Sequence, residues 1–119
     1  PVEQIATGPG KTSLAKGEIV VAFLLPKRPA RSADAYLRMI PRTEMDIAVV
    51  GVGVSLTLQD GVCTAARVGL GAVAPTVLRV DAAANALVGS KLDDAAFASA
   101  PVLLQADCDP IDDHRASAS

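Results

Sequence analysis

The sequence is poor in aromatic residues: no tryptophan, one tyrosine and two phenylalanines among 119 positions. Half of the residues are apolar, so any core is built from Val, Leu, Ile and Ala. A chain of this length is one domain and can bury about two-thirds of its unfolded surface. No apolar run approaches the ~20 residues needed to span a bilayer, so no membrane insertion is expected. The formal net charge is −2, and no basic run is longer than Pro26-Lys27-Arg28-Pro29. That excludes the electrostatic footprint of a nucleic-acid binder or of a protein held on an anionic membrane. Cys63 and Cys108 lie in no C-x-x-C pair. Reduced thiols are the expectation and a disulfide the alternative. No signal peptide is visible, and the chain starts at Pro1 without a methionine, as a fragment or trimmed chain would. A soluble, cytoplasmic domain is expected.

Residues 46–75 organise the rest. Val50, Val52, Val54, Leu56 and Leu58 alternate with Gly51, Gly53, Ser55 and Thr57, the period of two of a strand with one buried face. Asp60-Gly61 supplies turn chemistry, so the stretch reads as a long β-hairpin. A two-residue loop would pair Gln59 with Val62 and put Val68 and Leu70 on the Gly51/Gly53 face. A three-residue loop, a type I turn with Gly61 left-handed in a bulge, moves Val62, Val68 and Leu70 onto the Val/Leu face. A one-residue slip flips every side chain, so the apolar pattern favours the bulged loop.

Before the hairpin, residues 18–25 are β-branched-rich and stopped by Pro26, and are expected to be a strand apolar on both faces. A shorter strand is expected over 34–40. Beyond Pro75 the period changes. Val80, Ala83, Ala84, Leu87 and Val88 share a helical face, with Asp81 as N-cap and Gly89 as stop. A second helix follows Asp93, with Leu92 stapled onto Phe97. Phe97, Ala100 and Leu104 share its face, and Pro101 either kinks the helix or restarts it. Strands followed by helices indicate an α+β fold: an antiparallel sheet of three to four strands with helices packed on one face.

Few residues suggest chemistry. Thr7-Gly8-Pro9-Gly10-Lys11-Thr12 resembles a phosphate-binding loop but has Ile5 where the motif needs glycine, and precedes a strand. A connecting loop is the better reading. Gly51-x-Gly53 lies inside a strand and opens no helix, so small residues under a close-approaching surface explain it better than a dinucleotide. The single histidine, His114, stands in Asp112-Asp113-His114-Arg115. With Asp107 and Asp109 it could form an acidic metal site, though a solvated loop accounts for it. From residue chemistry alone there is no catalytic centre.

The order of the pieces carries more than each piece. Glu18-Ile19-Val20-Val21, Leu25-Pro26, Ala35-Tyr36-Leu37-Arg38 and Arg42-x-x-x-Asp46-Ile47-Ala48-Val49-Val50 come first. Gly71-Ala72-Val73-Ala74-Pro75-Thr76-x-x-Arg79, Ala86-Leu87-x-Gly89 and Asp112-x-x-Arg115-Ala116-Ser117-Ala118 follow. Together they resemble the C-terminal domain of the FAD-binding (medium) subunit of molybdenum hydroxylases, the carbon monoxide dehydrogenase and xanthine dehydrogenase family, over residues 8–119. The resemblance implies an α+β sandwich whose last family helix is truncated here, leaving apolar sheet surface uncovered. It implies a linker over 1–17 from an upstream FAD-binding domain, and the C-terminal domain over 18–119. In such an oxidoreductase the subunit passes electrons from iron–sulfur clusters to an acceptor, and partner subunits carry the molybdenum cofactor and the iron–sulfur clusters. FAD is held mainly by upstream domains, so this chain alone would bind it weakly or not at all.

Two positions carry over by motif. Val20 would offer backbone and side chain to the flavin, and Arg38 would place a positive charge near it. Relatives often have Lys at the second position, and Arg can fork where Lys cannot. Without the resemblance Val20 reads as core, Arg38 as a surface residue paired with Glu44 or Asp34, and Arg42 with Asp46 as a local ion pair. The alternative function is a non-catalytic interaction or dimerisation module, using the face of Gly51, Gly53 and Ser55 with Arg67 opposite.

Overall fold

The computed structural model describes residues 1–41, 47–112 and 117. The alternating stretch forms the two central strands of a four-stranded antiparallel sheet. In chain order the elements are a 3-10 turn at Val2–Gln4, then β1 (Ala6–Gly8), β2 (Lys11–Thr12), β3 (Ser32–Met39), β4 (Val50–Gln59), β5 (Val62–Gly71) and β6 (Leu78–Arg79). Helices α1 (Asp81–Leu87), α2 (Asp94–Ala98) and α3 (Ala100–Ala106) follow. The main sheet runs β3-β4-β5-β6, and β1 and β2 make a separate two-stranded ribbon.

The hairpin turn differs from the expected one, yet the apolar faces agree. Gln59 pairs with Val62, so the loop is the two residues Asp60 and Gly61. Both have positive φ, 50° and 79°, as a type I′ turn requires; its twist matches that of the flanking strands. The one-residue shift comes later. Leu58 faces Cys63 but Thr57 faces Ala65, leaving Thr64 as an extra residue in β5. The Thr64 hydroxyl donates to the Thr57 carbonyl at 3.2 Å. Val54 then meets Val68, and Val52 meets Leu70, so these side chains share a face as the pattern demanded. Val62 precedes the bulge, faces Gln59 and falls on the other side; Cys63 takes the core position instead.

The core lies between this Val/Leu face and α1. Cys63, Val68, Leu70, Val80, Ala83, Ala84 and Leu87 are buried. Leu92, Ala96, Leu103 and Leu104 pack around them. Asp81 does not cap α1. It occupies the first helical turn and turns its carboxylate back to Arg79, while Val80 stands at the cap position. Val88 is exposed and Gly89, at φ 85°, closes the helix. The Gly89 amide donates to the Cys63 carbonyl and the Cys63 amide to the Ser90 carbonyl, tying the chain beyond α1 to the start of β5. Asp93 caps α2 through the Ala96 amide at 3.1 Å. Pro101 sits in the first turn of α3, so the helix restarts there. Phe97 is 47% exposed; Ala96 provides the core contact of α2, because a five-residue helix leaves only one short face against the sheet.

The expected strand over 18–25 is absent. The segment has no ladder partner, and Leu24 is 96% exposed. A strand needs a neighbour for its amides and carbonyls and cover for its apolar sides, and the described chain offers neither. The fourth strand is β6 instead. Two-sheet order aside, the other shortfall of cover is on β3, whose inward residues Leu37 and Met39 stay exposed beyond the reach of the helices.

Candidate functional site

The face of the sheet opposite the helices carries the polar and small residues. Its rows follow from the register: Asp34, Ser55 and Arg67; then Tyr36, Gly53 and Gly69, the last facing Arg79; then Arg38, Gly51 and Gly71. The close-approaching surface inferred over Gly51 is the chain's own tyrosine. A Cβ built on Gly51 would lie 2.6 Å from the Tyr36 hydroxyl oxygen and 3.2 Å from two ring carbons. Glycine there lets the ring lie down over β4, a use of a strand glycine that depends on its missing side chain.

Arg38 is exposed on this same face, one row beyond Tyr36. Asp34, one of its expected partners, pairs with Arg28; Glu44, the other, lies outside the described residues, as do Arg42 and Asp46. Val20 is not core. It is 43% exposed and lines an open apolar hollow of about 520 Å3 with Val2, Ile5, Ala22, Phe23 and Leu25. Arg38 does not line that hollow, so the described residues do not gather the two expected flavin contacts into one pocket.

Arg79 went unnoticed in the sequence as a functional residue and is the electrostatic hub of this face. Its Nε and Nη2 donate to the two carboxylate oxygens of Asp81, each at 3.0 Å, a bidentate fork. Its Nη1 donates to Glu3 at 3.3 Å. The hydrogen bond from Arg79 and its charge hold the Asp81 carboxyl below the ordinary aspartate range, and Asp81 in turn holds the guanidinium up. Arg-x-Asp at a strand-to-helix junction is the signal that could have revealed the pair; nothing local could have revealed Glu3.

The stretch 7–12 that resembles a phosphate loop is the turn of the β1–β2 ribbon, with Gly10 at φ 66°. It opens no helix. Both cysteines are free; the Cys63 thiol donates to the Ala65 carbonyl and the Cys108 thiol to the Leu104 carbonyl. Among the described residues no group of three or more His, Cys, Asp or Glu is placed to hold a metal. Asp113 and His114 lie outside them. No helix among the described residues is long and apolar enough to cross a membrane.

Comparison with known proteins accounts for this combination of sheet and helices. Residues 35–119, over half of the chain, match the model of the CO dehydrogenase flavoprotein C-terminal domain. The carbon monoxide dehydrogenase medium chain of Afipia carboxidovorans is 35% identical over 107 residues, 90% of this chain and 37% of that protein. The xanthine dehydrogenase FAD-binding subunit of Escherichia coli O157:H7 is 36% identical over 80 residues, 66% of this chain and 27% of the relative. The structure of reconstituted CO dehydrogenase from Oligotropha carboxidovorans superimposes with a TM-score of 0.90 at 32% identity, over 98% of this chain and 40% of that one. The chain therefore spans well under half the length of each relative. It belongs to the family of CO dehydrogenase flavoprotein C-terminal domains.

Proposed function

We propose that the chain is an accessory domain of a flavin-binding subunit in a cytoplasmic molybdenum hydroxylase. There it helps close the flavin site and dock subunits while electrons pass from iron–sulfur clusters to an acceptor. Residues 1–17 are the linker from an upstream FAD-binding domain in this reading, and 18–119 the C-terminal domain. The molybdenum cofactor and the iron–sulfur clusters belong to partner subunits.

The observation that carries the reading is the segment from Ile19 to Leu25, which belongs to no helix or strand. Its apolar side chains, Val20 among them, lie open, and its backbone is committed to no ladder. Such a segment is suited to being covered by another domain while offering amides and carbonyls to a bound group. These residues fit an edge of a flavin site and not a whole one: an exposed apolar segment at Val20 and a cation at Arg38, with no glycine-rich loop opening a helix among the described residues to hold a pyrophosphate.

FAD supplies the electron exchange in such a subunit. Val20 would pack against the ring and bond it through main-chain atoms. Arg38 would set a permanent positive charge beside it, favouring the reduced, negatively charged form. In the complete subunit, Arg38→Ala is expected to lower the flavin potential by on the order of 30 mV, about 1.4 kcal/mol for a two-electron couple. Arg38→Lys should stay near the native value. Spectroelectrochemical titration of the purified subunits measures both, and an unchanged potential in Arg38→Ala rules out this role. FAD titrated onto the 119 residues alone should bind weaker than micromolar; tight binding would mean that this domain holds the cofactor itself.

A further inference from the structure

The sheet face that bears Arg67 holds a groove of about 380 Å3. Gly53 and Gly69 form its floor, Tyr36 stands on one side, and Val77 and Arg79 stand on the other. Most charges around it are matched. Arg28 pairs with Asp34, and Arg79 with Asp81 and Glu3. Arg67, exposed beside Ser55, makes no ion pair or hydrogen bond among the described residues. Glu3 already shows how this face receives polypeptide. It lies in the N-terminal 3-10 turn, far from β6 in sequence, and brings a carboxylate to Arg79 at the rim of the groove. Arg67 lies two residues along β5 from Gly69, the strand partner of Arg79, about 7 Å away along the strand.

We propose that the groove docks an extended, acidic polypeptide segment from a neighbouring part of the parent assembly. A carboxylate of that segment pairs with Arg67, continuing the mode of Glu3 and Arg79, and an apolar side chain beside it lies over Gly53 and Gly69 against Tyr36 and Val77. The side-chain-free floor admits a bulky group close to the β4 and β5 backbone. Arg67, the unmatched cation at this groove among the described residues, is the complement of one carboxylate; a single cation is too little for a nucleic-acid backbone. The proposal rests on the chain being one domain of a larger flavoprotein.

The test uses the complete flavin-binding subunit in its assembled complex, with Ser55→p-benzoylphenylalanine as a photo-cross-linker exposed on the Arg67 row. The expected result is one cross-linked peptide with Asp or Glu within a few residues of the attachment point. Its yield should drop at least about tenfold with Arg67→Glu and survive Arg67→Lys. A cross-link to a second copy of this domain, a peptide without a carboxylate, a yield indifferent to Arg67→Glu, or no cross-link overturns the proposal. Flavin content and far-ultraviolet circular dichroism of the same variants separate the outcomes. With Arg67 intact, a photo-cross-linker subunit that keeps flavin and fold but fails to cross-link refutes the docking alone, whereas a native complex without flavin refutes the reading on which it rests.

Discussion

Gly51 and Tyr36 illustrate how much a single residue decides on this face. Alanine at a strand position ordinarily gains about 0.5–1 kcal/mol over glycine through reduced chain entropy. At Gly51 the new methyl would meet the Tyr36 hydroxyl at 2.6 Å, so the ring must leave its place; Tyr36 is 64% exposed, so the ring can swing toward solvent at less than the cost of overpacking a closed core. Gly51→Ala is therefore expected to lose most of that gain, with little net change in stability, and to become stabilising by about 0.5–1 kcal/mol in a Tyr36→Ala background. A double-mutant cycle in urea measures the coupling; additive effects would show that the ring does not constrain Gly51. The Arg79–Asp81 fork makes a second prediction at this scale. Asp81 has a lowered carboxyl pKa in the folded chain, so its contribution to stability is present above the ordinary aspartate range and is lost as pH falls through the depressed value. NMR titration should find Asp81 ionising below the ordinary aspartate range, and Arg79→Ala should return it there. Because both groups are open to solvent, the effect should weaken with added salt.

The hairpin is the element on which the sheet depends. Its turn requires two consecutive residues at positive φ, a conformation that glycine adopts freely and aspartate tolerates. A Cβ on Gly61 would meet nothing within 4 Å, so the cost of Gly61→Ala is backbone strain alone, about 1–2 kcal/mol. Chemical denaturation should show that loss with an unchanged m-value, and Asp60→Asn should be tolerated, since asparagine suits the same geometry. Stability unchanged by Gly61→Ala would mean the turn is of another type. The alternation of Val50–Leu58 and the apolar run at Val68 and Leu70 were enough to choose which faces join. They could not reveal whether the turn or a bulge at Thr64 absorbs the odd residue, because both solutions bring Val68 and Leu70 to the core face and differ only in whether Val62 or Cys63 joins them. The start of α1 was similarly legible in its buried stripe and illegible at its cap, where Asp81 serves Arg79 rather than the helix amides.

At the level of the whole molecule, the order is uneven. The β4–β5 pair and α1 enclose the buried residues, while residues 18–29 lie outside every ladder. Hydrogen exchange of the isolated chain should therefore find the amides of Val52, Val54, Val68 and Leu70 among the slowest, and those of Val20 to Leu24 near the unprotected limit. In the parent subunit the second group should slow if another domain covers it. Protection of Val20 to Leu24 already in the isolated chain would mean that the segment finds a partner within these residues.

The sequence by itself determined the class of fold and the composition of the core. Period-two alternation, then a helical stripe at Val80, Ala83, Ala84 and Leu87, leave few packings in which aliphatic side chains escape water. The ordered motifs from Tyr36-Leu37-Arg38 to Arg79 likewise pointed to the family that the comparisons established. Only the tertiary structure decided that residues 18–25 are not a strand, since strand formation requires a neighbour that composition cannot supply. It alone laid Tyr36 on Gly51 and brought Glu3 to Arg79, contacts between residues far apart along the chain. Hydrophobic patterning is written locally and can be read locally; the pairing of distant polar groups depends on where the sheet carries them.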